Sequence, residues 1–189
     1  MENVRNIEYF KQNVDNIFVC DGDLLKDFDN GTIDIFAHGC NCLNRMGAGI
    51  AKTIKEKYPE MYKADTVKYK SIEDQKERTG YDDDKVSHLG DLSCHKFGEL
   101  KYGFNLYTQV HYFYKFGQKP FRSDALKSAM LKMHNMIKQI NSDNKQISVG
   151  FPRIGSGLAL GDEKEIQQMI FDEFKNSPNI KVYIYDFKP

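Results

Sequence analysis

Two segments of this chain share one design: an apolar run, a short glycine-bearing loop and then a helical pattern. The first is His38-Gly39-Cys40-Asn41-Cys42 with Met46-Gly47-Ala48-Gly49-Ile50-Ala51, and the second is Phe151-Pro152-Arg153-Ile154-Gly155-Ser156-Gly157-Leu158. A repeat of strand, loop and helix restricts the chain to strands and helices stacked in layers. Glycine lets the backbone approach a ligand closely, and a helix N-terminus behind it offers free N–H donors and the positive end of a dipole. Two such loops predict a clamp for a ligand carrying more than one phosphate.

The remaining pattern supports that architecture. Ile17 to Cys20 and Ile33 to Ala37 read as strands, Ala48 to Tyr58 as a helix, and Pro59 opens a second helix reaching about Lys70. Residues 71–87 are so polar that they read as a surface loop. Leu89 to His95 and Tyr102 to Val110 read as an antiparallel hairpin turning at Phe97-Gly98-Glu99. Ser123-Asp124 is the expected cap of a long helix through Ile140, whose Ala125, Leu126, Ala129, Met130, Met133 and Ile137 share an apolar face. Ile147 to Phe151 is a strand, Asp162-Glu163 starts a helix to about Lys175, and Ile180 to Tyr185 closes the sheet. Helices between strands imply parallel crossovers, with ligands beyond the carboxyl ends of the strands.

Composition narrows the partners. At 189 residues the chain suits one domain spanning 1–189. With 27 Lys+Arg against 27 Asp+Glu it has no net charge, so nucleic acid is not the expected partner, although Lys115, Lys119 and Arg122 leave a local basic patch open. No apolar stretch is long enough to span a membrane and no signal core follows Met1, so a cytoplasmic, membrane-free monomer is expected. Cys20, Cys40, Cys42 and Cys94 are too few for a disulfide framework and are expected as reduced thiols. Cys40, Cys42 and His38 are poorly spaced for a tetrahedral ion, so neither a metal nor a cofactor is expected. No Rossmann or P-loop signature is met.

The order Gly22-Asp23-Leu24-Leu25, His38-Gly39-Cys40-Asn41, Met46 to Ala51, Asn105-Leu106-Tyr107-Thr108-Gln109 and Pro152 to Leu158 resembles the macrodomain family of ADP-ribose-binding modules, from about Ile7 to Tyr185. The resemblance implies a three-layer α/β/α fold around a central mixed sheet. It is strongest to the branch of ADP-ribose 1''-phosphate phosphatases and deacylating macrodomains, which often carry His-x-Cys-Asn-Cys.

The resemblance also implies roles. Asp23, with Leu24, would meet the adenine; read locally, Asp23 caps a short helix. Tyr185 would lie against the adenosine, or pack in the core. Asn41 would hold the distal ribose, or stabilise its own loop. The backbone of Gly47, Ala48, Gly49 and Ile50, and of Ile154, Gly155, Ser156, Gly157 and Leu158, would surround the diphosphate. Thr108 and Gln109 would reach the terminal ribose or its substituent. His38, at the mouth of the first loop, and Asp162, at the start of a helix, are the candidate catalytic groups; each is also readable as structural, a strand-end histidine and a helix-start acid.

Macrodomains that work through a covalent lysine adduct have Lys after that Thr, where this chain has Gln109, and Asp after the second Gly-Leu, where it has Ala159. A glutamine amide is no such nucleophile. The expected activity is therefore hydrolysis of ADP-ribose 1''-phosphate to ADP-ribose and phosphate, with deacylation, ADP-ribosyl hydrolysis or non-catalytic ADP-ribose binding as alternatives. Residues 111–122 are left open as lid or surface loop.

Overall fold

A computed structural model describes residues 1–6, 15–79, 88–112, 119–155 and 159–186. Among these, β1 (Glu2–Asn6), β2 (Ile17–Asp21), β3 (Ile35–Asn41), β4 (Leu92–Lys96), β5 (Tyr102–Gln109), β6 (Ile147–Pro152) and β7 (Ile180–Asp186) form one sheet in the order β1-β2-β7-β6-β3-β5-β4. The five inner strands run parallel, while β1 and β4 pair antiparallel at the two edges. This is the mixed sheet expected, with the β4–β5 hairpin in place and β4 beginning at Leu92. The edge strand β1 was not anticipated, since Glu-Asn-Val-Arg-Asn carries no apolar alternation.

Helices α1 (Leu24–Asp29), α2 (Gly49–Lys57) and α3 (Pro59–Thr79) cover one face, and α4 (Ser123–Ile140) and α5 (Glu163–Phe174) cover the other. Strand β3 shows how the layers divide. Ile35 and Ala37 belong to the core under α4 and α5, whereas Phe36 and Cys40 belong to the core under α1, α2 and α3. The apolar face of α4 is buried as its spacing predicts, and each fully buried Leu, Ile or Met contributes about 1.5–3 kcal/mol.

Two local expectations are corrected. Helix α3 runs on through Thr79, so residues 71–79 are helical rather than loop, and residues 80–87 lie outside the described residues. Its charged sequence fits a helix because Lys, Glu, Gln and Arg are good helix formers. Neither Ser123 nor Asp124 caps α4: the boundary residue is Arg122, and no side chain closes that end. Among the described residues no helix is long and apolar enough to cross a membrane.

Candidate functional site

Strands β3 and β6 are neighbours in the sheet, yet the chain leaves them toward opposite faces, into α2 and α5. Divergence at such a point opens a crevice beyond the carboxyl ends of the strands. A cavity of about 730 Å³ sits there, walled by both glycine loops, the first turn of α2, one side of α3 and the end of β5. That volume lies in the range of small-molecule sites.

The first loop is held by its own asparagine. Asn41 Oδ1 accepts from the Leu43 and Arg45 backbone N–H groups at 3.0 and 3.2 Å, and Nδ2 donates to the Arg45 carbonyl at 2.7 Å. Asn41 lines the cavity, but its amide is already engaged by the loop. Behind the loop, α2 starts after Ala48, where no side chain supplies a cap. The N–H groups of the first turn, Gly49 to Ala51, therefore keep the donor capacity that a helix cannot use internally. Gly49 takes φ +55°, and a Cβ there would meet open space. Gly47, Ala48, Gly49 and Ile50 all face the cavity, as expected for an anion site.

The second loop reaches the same cavity through Arg153, Gly155 and Ala159. Gly155 has φ +68°, and a Cβ would come within 2.5 Å of the Phe121 ring. Its carbonyl accepts from the Gly161 N–H at 2.8 Å, closing the loop on itself. Ser156, Gly157 and Leu158 lie outside the described residues, as do 113–118 of the segment 111–122. Arg153 is paired with Glu163 at 3.2 Å and Asp186 at 2.6 Å.

The wall toward α3 is polar. Thr108 and Gln109 line it; the Thr108 hydroxyl is buried with no hydrogen-bond partner among the described residues. Asp65 of α3, which the sequence reading did not single out, lines it too at 1% exposure. Its Oδ1 accepts from Tyr107 Oη at 2.9 Å, and its Oδ2 has no partner among the described residues. Burial raises the Asp65 pKa to about 6, against the opposing effect of the Tyr107 hydrogen bond. The Cys40 thiol beside it is pushed well above the usual range, by burial first and then by the Asp65 charge. One signal was available: Asp65 follows the buried Met61 by four residues, which places a carboxyl on the buried face of its helix.

Six expected site residues stand elsewhere. His38 is not at the mouth of the first loop. Fully buried, it shares Nε2 with Asn105 Oδ1 at 2.7 Å, and burial holds its pKa down to about 4. Asp162 is the N-cap of α5, accepting from the Glu165 N–H at 2.9 Å. Asp23 caps α1 through the Leu25 and Lys26 N–H groups at 2.9 and 3.2 Å, and Leu24 is buried in the core. Tyr185 is buried, with its hydroxyl donating to Asp27 at 2.9 Å. Ile154 is buried at the root of the second loop. The cavity thus gathers Asn41, Gly47 to Ile50, Thr108, Gln109 and Gly155, and these six lie off its wall. All four cysteines are free.

No family model matches the chain. An uncharacterized 17.5 kDa protein from the tk-vs intergenic region of Enterobacteria phage T4 is 32% identical over 174 residues, covering 89% of this chain and 94% of that protein. The DNA ADP-ribosyl glycohydrolase of Mycobacterium tuberculosis is 25% identical over 172 residues; the match takes in 87% of this chain but only 40% of that longer protein. Among solved structures, the macrodomain of Mycobacterium tuberculosis DarG superposes with a TM-score of 0.67 at 24% identity, over 89% of this chain and 96% of that one.

Proposed function

The chain belongs to the macrodomain family, and from that premise we propose that its cavity binds ADP-ribose and hydrolyses a derivative of it. The observation that carries this reading is the convergence of both glycine loops on one cavity, with the uncapped N-terminus of α2 turned toward it. In this reading the diphosphate takes the N–H groups of Gly47 to Ile50 on one side and the second loop at Gly155 on the other. The distal ribose lies toward Asn41, Thr108 and Gln109. The adenosine runs toward the carboxyl ends of β2 and β7, where Asp23, Leu24, Ile154 and Tyr185 stand around its path.

The derivative we assign is ADP-ribose 1''-phosphate, cleaved by water to ADP-ribose and phosphate. The His38-to-Cys42 segment and Gln109 support it: no lysine follows Thr108 on β5, so the covalent adduct has no nucleophile at that position. A second reading, release of ADP-ribose from nucleic acid, is favoured by the likeness to the mycobacterial DNA ADP-ribosyl glycohydrolase. Calorimetry with ADP-ribose comes first, then assays of phosphate release from ADP-ribose 1''-phosphate and of ADP-ribose release from ADP-ribosylated DNA. Micromolar binding with phosphate release is the expected result. Turnover of the DNA substrate alone selects the second reading, binding without turnover of either leaves a reader module, and no binding ends the proposal.

A further inference from the structure

Resting on the reading that the cavity hydrolyses an ADP-ribose derivative, we propose that Asp65 is the base that activates the attacking water, held in place by a hydrogen-bond chain that begins at His38. Asp65 reaches the cavity wall with Oδ2 unpartnered among the described residues, although it sits on the buried face of α3. An unpartnered carboxylate in such a place is costly, and a carboxyl kept only for structure would have both oxygens satisfied.

The other oxygen shows how the group is aimed. Tyr107 Oη donates to Asp65 Oδ1 at 2.9 Å and lies 2.9 Å from Ser93 Oγ. Asn105 Nδ2 donates to Ser93 Oγ at 3.0 Å and to the Met61 carbonyl at 3.1 Å, and Asn105 Oδ1 stands 2.7 Å from His38 Nε2. The direction of this chain is fixed from both ends. The Met61 carbonyl only accepts, which assigns the Asn105 amide, so the imidazole must donate to Oδ1. An ionised Asp65 only accepts, so Tyr107 donates to it and receives its own bond from Ser93. Four donors in series therefore point at Asp65 Oδ1, each polarising the next. His38 is a positioning residue that acts through Asn105.

Electrostatics agree with the geometry. Burial brings the Asp65 pKa to about 6, which leaves an ionised carboxylate of useful basicity near neutral pH. The groups facing it are Tyr107 from β5 and Cys40 from β3, both raised by burial and hence neutral. His88 packs on the Tyr107 ring at 4.0 Å between centroids, and Lys55 and Arg45 line the same cavity. In the step itself, Oδ2 takes a proton from water as the water oxygen bonds to phosphorus. The bond from phosphorus to the 1''-oxygen breaks with its electron pair on that oxygen, which then receives the proton from Asp65.

The test compares the full chain with Asp65→Asn and Tyr107→Phe. Phosphate release from ADP-ribose 1''-phosphate is followed across pH, and ADP-ribose affinity is measured by calorimetry. Asp65→Asn is expected to keep affinity within about threefold, to lower kcat by about 10²–10⁴ and to abolish the acidic limb of the profile. Tyr107→Phe removes a bond that both aims the carboxylate and favours its ionised form, so it is expected to lower kcat less than Asp65→Asn does and to move the acidic midpoint upward from about 6. A purely structural role for this chain would leave that midpoint in place. An active wild type with an equally active Asp65→Asn, or an unmoved midpoint in Tyr107→Phe, overturns the assignment of Asp65 alone. A wild type that binds ADP-ribose and releases no phosphate overturns the hydrolytic reading and this step with it.

Discussion

The two glycine loops read alike as sequence, and they differ in what stands behind them. After the first, α2 begins with no side-chain cap, and its leading glycine would point a Cβ into open space. After the second, Asp162 closes the end of α5, Glu163 and Glu165 crowd its first turn, and Gly155 is pressed against Phe121. The helix N-terminus behind the first loop is open to an anion, whereas the one behind the second is already answered by carboxylates. A glycine motif thus reports close approach without saying to what: Gly49 faces open space at the cavity, whereas Gly155 reaches the same cavity while packed on a phenyl ring.

Paired substitutions break that comparison most sharply. Gly155→Ala combines a positive φ with a 2.5 Å approach to Phe121. It is expected to cost about 3 kcal/mol, from roughly 1 for the backbone and 2 for overpacking, and to lower Tm by about 6–12 °C. Gly49→Ala has the same backbone problem and no clash, so it should cost about 1 kcal/mol while weakening ADP-ribose binding about tenfold. Thermal melts and calorimetry on both variants check this; equal losses of stability would erase the distinction between the loops.

Charge sharpens it next, because the buried carboxyl lies on the side of the first loop. Asp65 has a folded-state pKa raised from 3.8 to about 6, so the stability it contributes is complete below about pH 4 and lost as pH rises through 6. His38, lowered from 6.5 to about 4, runs the other way: its contribution is present above pH 6.5 and lost as pH falls toward 4. The two offset each other between those limits. Asp65→Asn leaves His38 alone, so at pH 7.5 the variant should be about 2–3 kcal/mol more stable than the parent, with the advantage gone by pH 4. Urea melts across pH measure it, and an Asp65→Asn protein less stable at pH 7.5 contradicts the buried cost assigned to the carboxylate.

The sequence made the alternation of strands and helices legible because each element carries its own period, down to the buried stripe of α4. It was also right to offer local readings for Asp23, Asn41 and Asp162, whose hydrogen bonds close within two to four residues. Sites built across the fold were harder to see. Asp65 meets Tyr107 from 42 residues away, and His38 meets Asn105 from 67. Nothing in either neighbourhood announces the pairing except an acid on the buried face of its helix. The edge strand β1 escaped for the opposite reason, since it pairs on one side only and needs no apolar alternation.

The smallest effects test the capping difference itself. Asp162→Ala removes a cap and should cost about 1 kcal/mol, with ADP-ribose affinity unchanged within about threefold because that helix end already belongs to its own carboxylate. Ala48→Asp reverses the situation at α2. The backbone there is extended, with φ −146° and ψ 162°, as a capping residue requires, so a new carboxylate can take the free N–H groups. The substitution should stabilise the fold by about 1 kcal/mol and weaken ADP-ribose binding about tenfold, since the same donors cannot serve both anions. Stability and affinity then move in opposite directions in one variant. Tighter folding with undiminished affinity would mean that the diphosphate does not use the N-terminus of α2.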